Sequence, residues 1–133
     1  MIALEIVTPE RRVLSLDVDE VVLPSVDGSM GVLPGHAPTL CQLDVGEMSY
    51  RQGQQRKYLA LSGGFAEVLR EKVRILARTT EAAEDIDLER ARKAKKFAEE
   101  SVKPRPGGMD VDHAAVKLRR ALCRIQVHSR TGR

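Results

Sequence analysis

Aromatic side chains are almost absent from this 133-residue sequence, which contains no Trp, two Tyr and two Phe. Proteins that bind single-stranded nucleic acid commonly stack its bases on aromatic rings, and this chain has few rings to offer. Zinc-finger and RNA-binding signatures are also missing from the sequence. A basic pI of about 9.1 keeps a nucleic-acid-binding module open as an alternative, but the composition argues against it.

Cysteine is equally scarce, with only Cys41 and Cys123 in the chain. Two residues are too few for the disulfide framework of a small secreted domain. Neither has a second Cys or a His nearby at the spacing of a zinc site. We expect both thiols to be reduced and structural, with no metal bound.

Long apolar runs are missing as well. No segment approaches the ~20 apolar residues that span a bilayer, and the start of the chain lacks the basic end and apolar stretch of a signal peptide. With 42% hydrophobic and 31% charged residues, the composition is typical of a folded globular protein. We therefore expect a cytosolic chain made of one domain plus an appendage.

Charge is distributed unevenly along the chain, although the net value is only +3. Residues 1–80 carry nine Lys and Arg against ten Asp and Glu, whereas residues 90–133 carry 13 against four, a net charge of +9. Such a segment favours an acidic protein surface, phosphate groups, nucleic acid or anionic lipid. Charge alone does not choose among these partners.

The first 80 residues predict many short strands joined by close turns. Ile2, Leu4 and Ile6 alternate with polar positions, which is typical of a strand with one buried face. Gly53 and the segment 70–72 indicate hairpin turns. Further strands are expected at 12–18, 20–23, 39–43, 47–51, 57–62, 65–69 and 73–77. This pattern predicts an antiparallel β-sandwich or flattened barrel.

Two glycines, Gly63 and Gly64, follow Ser62 and invite comparison with a phosphate-binding loop. Such loops lead into a helix whose N-terminal N–H groups meet the anion, but a strand pattern follows here. The glycines therefore indicate a bulge or a close approach of two backbones.

From Asp87 onward the apolar period changes from two to 3.6, and the sequence predicts two helices at about 87–103 and 110–128. Asp87 and Asp110 are the expected N-caps, and the Pro- and Gly-rich segment 103–108 must separate the helices. The predicted apolar stripes are Leu88, Ala91, Ala94, Ala98 and Val102 on the first helix, and Val111, Ala114, Ala115, Leu118, Ala121, Leu122 and Ile125 on the second. Alanine-rich stripes bury little apolar area, so we expect a weakly held antiparallel hairpin. The fold class is thus α+β, with a β-domain at 1–84 and a helical hairpin at 85–133.

Three sequence blocks resemble those of one family. They are Gly28-Ser29-Met30-Gly31-Val32-Leu33-Pro34-Gly35-His36-Ala37-Pro38, Leu61-Ser62-Gly63-Gly64-Phe65-Ala66-Glu67-Val68, and Ile86-Asp87-Leu88-Glu89-Arg90-Ala91. Their order and spacing are similar to those of the F-type ATP synthase epsilon subunit, and the resemblance covers almost the whole chain.

The resemblance implies a non-catalytic central-stalk (rotor) subunit of a proton-translocating ATP synthase. Its sandwich would bind the gamma shaft and rest on the c-subunit ring, with Ser29, Met30 and His36 in a loop that faces the ring. Torque would pass through the sandwich, and the C-terminal helices would inhibit ATP hydrolysis. The implied location is peripheral, on the cytoplasmic face of a bacterial plasma membrane.

No cofactor is required for this role, but some relatives bind regulatory ATP through the third block and basic residues of the second helix. The matching positions here are Glu81, Ile86, Asp87, Arg90, Ala91, Arg120 and Arg124. Projection at 100° per residue places His113, Lys117, Arg120 and Arg124 on one flank of the second helix. Guanidinium groups one turn apart can grip phosphate oxygens. The alternative is that Asp87 only caps a helix and the arginines are solvated.

The same charges suit a partner without any small ligand. An extended hairpin would meet the acidic loops that catalytic beta subunits of the family present beside the alpha subunits, with an attraction that weakens in salt. The residues predicted to act together in this contact are Arg90, Arg92, Lys93, Lys95, Lys96, Arg119, Arg120 and Arg124.

A small hydrolase is the third class considered. It would need a nucleophile, a base and an oxyanion site that converge. The only histidines are His36, His113 and His128, and none has triad-like neighbours in a known motif. We therefore expect no catalytic residues in this chain.

Overall fold

The computed structural model describes residues 1–102 and 111–131, with the side chains of Val102, Val111 and Asp112 left aside. The predicted separator at 103–108 and the predicted cap Asp110 lie outside the described residues. Contacts divide the chain into two compact units, residues 1–82 and 83–133. Each unit is described by itself below.

The first unit is a β-sandwich whose strands hydrogen bond in the order β2-β1-β7-β6-β5-β3-β4, with β8 paired to β6. The strands are β1 (Ile2–Val7), β2 (Arg12–Val18), β3 (Glu20–Ser25), β4 (Gly28–Val32), β5 (Thr39–Gln52), β6 (Gln55–Val68), β7 (Lys72–Ala77) and β8 (Thr80–Ala82). All pairs are antiparallel except β1 with β7, which is parallel. The predicted sandwich is confirmed, with this one parallel pair added.

Alternation of buried and exposed residues explains why the strands fold over one core. Ile2, Leu4 and Ile6 of β1 are fully buried, as predicted, and Val73 and Ile75 of β7 lie beside them in the core. Each large aliphatic side chain removed from water contributes roughly 1.5–3 kcal/mol to folding. The inward faces of the strands therefore supply most of the stability of this unit.

Two hydrogen bonds show how the sheet closes on itself. The Gln52 side-chain amide donates to the Asp17 carbonyl at 2.8 Å, and the Asp19 N–H donates to the Arg51 carbonyl at 2.7 Å. They join the end of β2 to β5, which is four places away in the strand order. The sheet thus curls until its two layers enclose the core.

Four of the predicted short strands are parts of two long ones, and this prediction was wrong in its boundaries. Segments 39–43 and 47–51 belong to β5, and segments 57–62 and 65–69 merge into β6. The pairing skips from Leu43↔Gly64 to Val45↔Ser62, so the polar and glycine-rich interruptions are irregularities inside continuous strands. Gly53, with φ 61°, does form the predicted turn between them.

The second unit begins with a 3-10 turn, Ala83–Asp85, and contains helices α1 (Leu88–Val102) and α2 (Val111–His128), which pack against each other. Both helices are confirmed. Within the described residues neither helix is long and apolar enough to cross a membrane. Neither cysteine forms a disulfide within the described residues; Cys123 is buried on α2 and Cys41 is half-buried on β5.

The predicted apolar stripes are only partly buried. Ala91, Ala98, Ala114 and Ala121 are buried as expected, but Ala94 is exposed. On α2, Leu122 is 43% exposed, whereas Cys123 and Val127 are buried. The predicted stripe included too many residues. Leucine and alanine at the margin of a helical face are apolar whether or not a neighbour covers them, so the sequence does not show which of them are buried.

Candidate functional sites

The start of α1 holds four of the predicted nucleotide contacts. Oδ1 of Asp87 accepts a hydrogen bond from the Arg90 N–H at 3.1 Å, and the Asp87 carbonyl accepts from the Ala91 N–H at 3.0 Å. Asp87 is therefore the N-cap that the sequence predicts. Ile86 and Ala91 are buried, whereas the Arg90 side chain is exposed. Asp87 is itself exposed, so its carboxylate can also accept a hydrogen bond from a ligand.

The predicted basic strip lies on one flank of α2, as the helix geometry requires. His113 and Lys117 are exposed, and Arg120 and Arg124 are half-buried one turn apart. Nε of Arg120 is enclosed and has no hydrogen-bond partner in the part of the chain that the structure describes. An enclosed N–H of this kind gains free energy when an acceptor oxygen reaches it. Glu81, the remaining predicted contact, is half-buried on β8 in the sandwich.

The basic residues of α1 divide into paired and solvated groups. Lys93 lies 4.0 Å from Glu89 and Lys95 lies 3.8 Å from Glu99, each pair one helical turn apart. Such exposed pairs contribute a few tenths of a kcal/mol and are easily exchanged for another partner. Three further side chains are exposed and form no ion pair with any described residue: Arg90, Arg92 and Lys96. On α2, Arg119 is also exposed.

The first sequence block is not a single loop, and that part of the prediction was wrong. Ser29 and Met30 lie in β4, paired with Pro24 and Leu23 of β3. Met30 packs partly against the core while Ser29 is exposed, because alternate residues of a strand point to opposite faces. A contact between the Met30 side chain and the c-subunit ring would have to compete with this packing.

His36 does lie in a turn, half-buried, after β4. The backbone N–H of His36 donates to the Leu33 carbonyl at 3.2 Å, and the backbone N–H of Gly35 donates to the Arg70 carbonyl at 2.7 Å. Nδ1 of His36 lies 2.8 Å from the Ala37 carbonyl, which can only accept, so Nδ1 carries the proton. These bonds hold the turn beside the start of β7. The role of His36 at the ring stays a prediction.

The predicted close approach of backbones at the second block is confirmed. Gly63 and Gly64 have φ of 74° and 128°, and a Cβ built on Gly64 would lie 2.1 Å from the Leu76 carbonyl oxygen. Here β6 changes its partner, from β8 at residues 59–61 to β7 at residues 64–68. Residue 64 must be glycine because backbone atoms of β7 occupy the place where a Cβ would lie.

An apolar row on the outer face of the sandwich was not foreseen from the sequence. Phe65 pairs with Leu76, and Leu76 pairs in turn with Val7, so three apolar residues lie side by side across β6, β7 and β1. Phe65 is 52% and Leu76 51% exposed. A cavity of about 330 Å³ lies over this row. The signal was present, since both residues fall on the strand positions that alternate with buried Ala66 and Ile75.

On the same face of the sheet, the neighbouring cross-strand row contains the charged residues Glu5 and Arg74. Nε of Arg74 lies 2.9 Å from one oxygen of Glu5, and Arg12 lies 3.7 Å from the other. The hydrogen bond from Arg74 lowers the pKa of Glu5 below its ordinary value, and the positive charges of Arg74 and Arg12 act in the same direction against the opposing effect of burial. Glu5 therefore stays ionised, and the row presents a fixed charge pattern beside the apolar one.

Residues of metal-binding type are not clustered in the described part of the chain, where no group of three or more His, Cys, Asp or Glu could hold an ion.

Two family models match consecutive parts of the chain and meet where its two compact units meet. The ATP synthase, Delta/Epsilon chain, beta-sandwich domain matches residues 1–83, and the long alpha-helix domain of the same description matches residues 84–129. The chain belongs to the ATP synthase delta/epsilon family. Together the two matches account for both units, so family membership covers the sandwich and the hairpin alike.

Relatives within this family are similar over nearly their full length. The ATP synthase epsilon chain of Syntrophobacter fumaroxidans is 45% identical over 130 residues, covering 98% of this chain and 97% of the relative. The ATP synthase epsilon chain of Herpetosiphon aurantiacus is 48% identical over 126 residues, covering 95% and 93%. Among named relatives the similarity is thus to epsilon chains.

Chains in two solved ATP synthase structures share the fold. A chain in the Euglena gracilis mitochondrial ATP synthase (OSCP/F1/c-ring, rotational state 1) matches with a TM-score of 0.81 at 26% identity, over 91% of this chain and 77% of that one. A chain in the Tetrahymena thermophila mitochondrial ATP synthase central stalk/c-ring matches with a TM-score of 0.61 over 99% and 96%, and at 16% identity this shows the fold alone.

Proposed function

We propose that this chain is the central-stalk epsilon subunit of a proton-translocating F-type ATP synthase, a non-catalytic rotor part that couples rotation of the gamma shaft to the membrane c ring. The observation that carries the proposal is the match of both family domains to the two compact units, in order and over almost the whole chain. The similar chain in the Euglena gracilis ATP synthase, whose structure includes F1 and the c-ring, supports the same partners. By this reading the chain is peripheral, on the cytoplasmic face of a bacterial plasma membrane.

The architecture suits a division of labour between the units. The sandwich has its own closed core of large aliphatic residues and can transmit force as a rigid body. The buried face of the hairpin is dominated by alanine, which contributes little apolar area, so separation of its helices from other surfaces requires little free energy. The sandwich is therefore the coupling part and the hairpin the movable, inhibitory part.

Inhibition by the hairpin would act through its positive charge. Arg90, Arg92 and Lys96 are exposed on α1 without a described ion-pair partner, and residues 90–133 carry a net charge of +9. Acidic loops of the catalytic beta subunits, next to the alpha subunits, would attract such a surface when the hairpin extends. Rotation in the hydrolysis direction would then be restrained.

ATP sensing by the hairpin is the finer part of the proposal. It is supported by the exposure of Asp87 and by the enclosed Nε of Arg120, which has no acceptor among the described residues. A nucleotide phosphate could satisfy that N–H while a hydroxyl or amine donates to Asp87. Bound ATP would keep the hairpin folded and the enzyme free to turn.

The coupling function can be tested by reconstitution. Membrane vesicles that carry the synthase are stripped of their epsilon subunit, the purified chain is added back, and ATP-driven proton pumping is measured. We expect pumping per ATP hydrolysed to rise to a saturating level with added chain, compared with vesicles that receive none. A ratio of pumping to hydrolysis that does not change at any concentration would refute the proposal.

A further inference from the structure

A polar cavity of about 190 Å³ lies beside the turn between β1 and β2, and we call it the turn cavity. Its two walls are the turn itself, residues 8–11, and the connection from β7 to β8, residues 78–80, and Val13 completes the lining. Every lining residue belongs to the sandwich, and none of the predicted nucleotide contacts is among them. A ligand held here would therefore be distinct from ATP bound by the hairpin.

The first wall is held in shape by hydrogen bonds within the turn. The backbone N–H of Thr8 donates to the Arg11 carbonyl at 2.9 Å, and the Thr8 hydroxyl donates to the same carbonyl at 3.3 Å. The ring of Pro9 fixes its own φ at about −65° inside this turn. The turn therefore fixes the backbone of Arg11 at the edge of the cavity, with the Arg11 side chain exposed.

The second wall is tied to β6. The backbone N–H of Arg78 donates to the Gly63 carbonyl at 3.3 Å, and the Ser62 N–H donates to the Thr79 carbonyl at 3.1 Å. Thr80 is the first residue of β8 and is paired with β6 as well. Walls that are fixed before a ligand arrives lose little conformational freedom when it binds.

Positive charge predominates in the lining. Arg11 and Arg78 form no ion pair with any residue that the structure describes, and Glu10 is the one acidic residue among those that line the cavity. Each guanidinium group therefore keeps its side-chain donors for an external anion. The planar fork of such a group can donate to two oxygens of the same oxyanion.

Two threonine hydroxyls add uncharged donors to the second wall. Neither the Thr79 hydroxyl nor Oγ1 of Thr80 has a hydrogen-bond partner within residues 1–102 and 111–131, and Oγ1 of Thr80 is enclosed. An enclosed hydroxyl without a partner gains free energy when it finds an acceptor. Rotation about χ1 of Thr80 exchanges its hydroxyl and methyl positions, so the hydroxyl can be directed toward an ion in the cavity.

The size and the donors of the turn cavity select a small oxyanion. Its volume is below the ~300–1,000 Å³ of pockets for larger organic ligands, which excludes a whole nucleotide. Donors on two facing walls suit a tetrahedral ion, because its four oxygens point in different directions, whereas a carboxylate presents two oxygens on one side. A dianion also gains more than a monoanion from two guanidinium groups.

We propose that the turn cavity is a binding site for inorganic phosphate. Arg11 and Arg78 bind the charged oxygens from the two walls, and the hydroxyls of Thr79 and Thr80 donate to the remaining ones. This inference goes beyond the proposed function, because the site is built from the sandwich alone and needs neither the rotor nor the hairpin. The proposed function stands whether or not phosphate binds.

The test measures binding of radiolabelled inorganic phosphate to the full-length chain, by equilibrium dialysis in a chloride buffer of low ionic strength. We expect saturable binding to the original chain. Arg11→Gln and Arg78→Gln each remove one charge at an exposed position and should each weaken binding roughly fivefold or more. Glu10→Gln removes the negative charge of the lining and should tighten binding roughly twofold.

Matched controls change arginines outside the cavity. Arg70→Gln alters an exposed residue elsewhere on the sandwich, and Arg124→Gln alters a predicted phosphate contact of the hairpin. Both should bind phosphate within about twofold of the original chain, because distant surface charges are screened. Thr79→Val leaves the charge unchanged and should weaken binding roughly twofold. Thermal unfolding of every variant shows whether the sandwich is intact.

Three outcomes would overturn the proposal. The first is that the original chain shows no saturable binding, or that the folded Arg11→Gln and Arg78→Gln variants bind as tightly as the original chain. The second is loss of binding in Arg124→Gln alone, which would place the phosphate on the hairpin. The third comes from sedimentation with vesicles that contain phosphatidic acid. Vesicle binding that depends on Arg78, without binding of inorganic phosphate, would assign the cavity to a lipid headgroup.

Discussion

Gly64 is the residue on which the outer face of the sandwich depends most directly. Its φ of 128° lies in a region that side chains avoid, and the position of its missing Cβ is taken by backbone atoms of Leu76 and Ala77. Backbone atoms of a paired strand cannot turn aside as a flexible side chain can. A larger residue here would push β7 away from β6 and disturb the pairing of Phe65 with Leu76.

We predict that Gly64→Ala destabilises the sandwich much more than Gly28→Ala does. Gly28 has a similar φ of 126° but open space where the Cβ would lie, so it reports the backbone strain alone, about 1–3 kcal/mol. The clash at Gly64 adds about 2 kcal/mol or more. Urea unfolding of the two variants measures the difference, and equal losses of free energy would show that β7 yields without cost.

The burial of a side chain was predictable from the sequence only where apolar and polar residues alternate clearly. Ile2, Leu4 and Ile6 alternate cleanly and are buried as expected. By contrast, the exposure of Leu122 depends on which neighbours cover it, and no local pattern carries that information. The apolar row of Val7, Phe65 and Leu76 was missed because its residues come from three separated stretches of the chain.

At the scale of elements, the sequence predicted the type of structure better than its extent. The apolar period identified both helices to within about a residue at the ends that the structure describes, because an amphipathic face and the Asp87 cap act locally. The strands β4 and β8 were missed, and β5 and β6 were each divided in two. Strand limits are set by hydrogen bonds to distant partners, and Gly46 or Gly63 look like turn residues until those partners are known.

The cap at Asp87 permits a test that separates its structural role from nucleotide binding. Asp87→Ala removes both the cap and the carboxylate, and should lower helix stability by about 1 kcal/mol. Asp87→Ser keeps a capping oxygen and removes the carboxylate, so helix stability should be nearly unchanged. We predict that both variants, and Arg124→Ala, weaken ATP binding at least tenfold in calorimetric titration, while only Asp87→Ala reduces helicity in thermal melts.

Two results would decide against ATP sensing. If Asp87→Ser binds ATP as tightly as the original chain, the carboxylate serves only as a cap. If the original chain gives no heat of binding at millimolar ATP, no site stronger than about −4 kcal/mol exists and the hairpin is not a sensor.

At the scale of the whole molecule, the two units differ in charge and in packing. The sandwich region is almost neutral with a large aliphatic core, whereas the hairpin is strongly basic and packed mainly through alanine. A boundary between Ala82 and Ala83 makes removal of the second unit a clean experiment, since the core of the first is built from its own residues.

We predict that a chain ending at residue 82 restores coupled ATP synthesis to an epsilon-depleted enzyme but leaves ATP hydrolysis several-fold faster than the full chain does. The control is the full chain with Arg90→Glu, Arg92→Glu and Lys96→Glu, which keeps the hairpin and reverses its exposed charges. It should release hydrolysis as the truncation does, and added salt should weaken inhibition by the original chain. Equal hydrolysis with all three proteins would mean that the hairpin is not a brake.

The parallel pairing of β1 with β7 has a consequence for how the chain is made. Glu5 and Arg74, which bond across these strands, are 69 residues apart in sequence, so β1 lacks one of its two neighbours until most of the sandwich has been synthesised. Contacts of such long range are formed late and slowly, because a large loop must close first. Translation of the sandwich therefore ends before its folding can be completed, and until then the apolar strand β1 has an open edge that nascent-chain chaperones would be expected to protect.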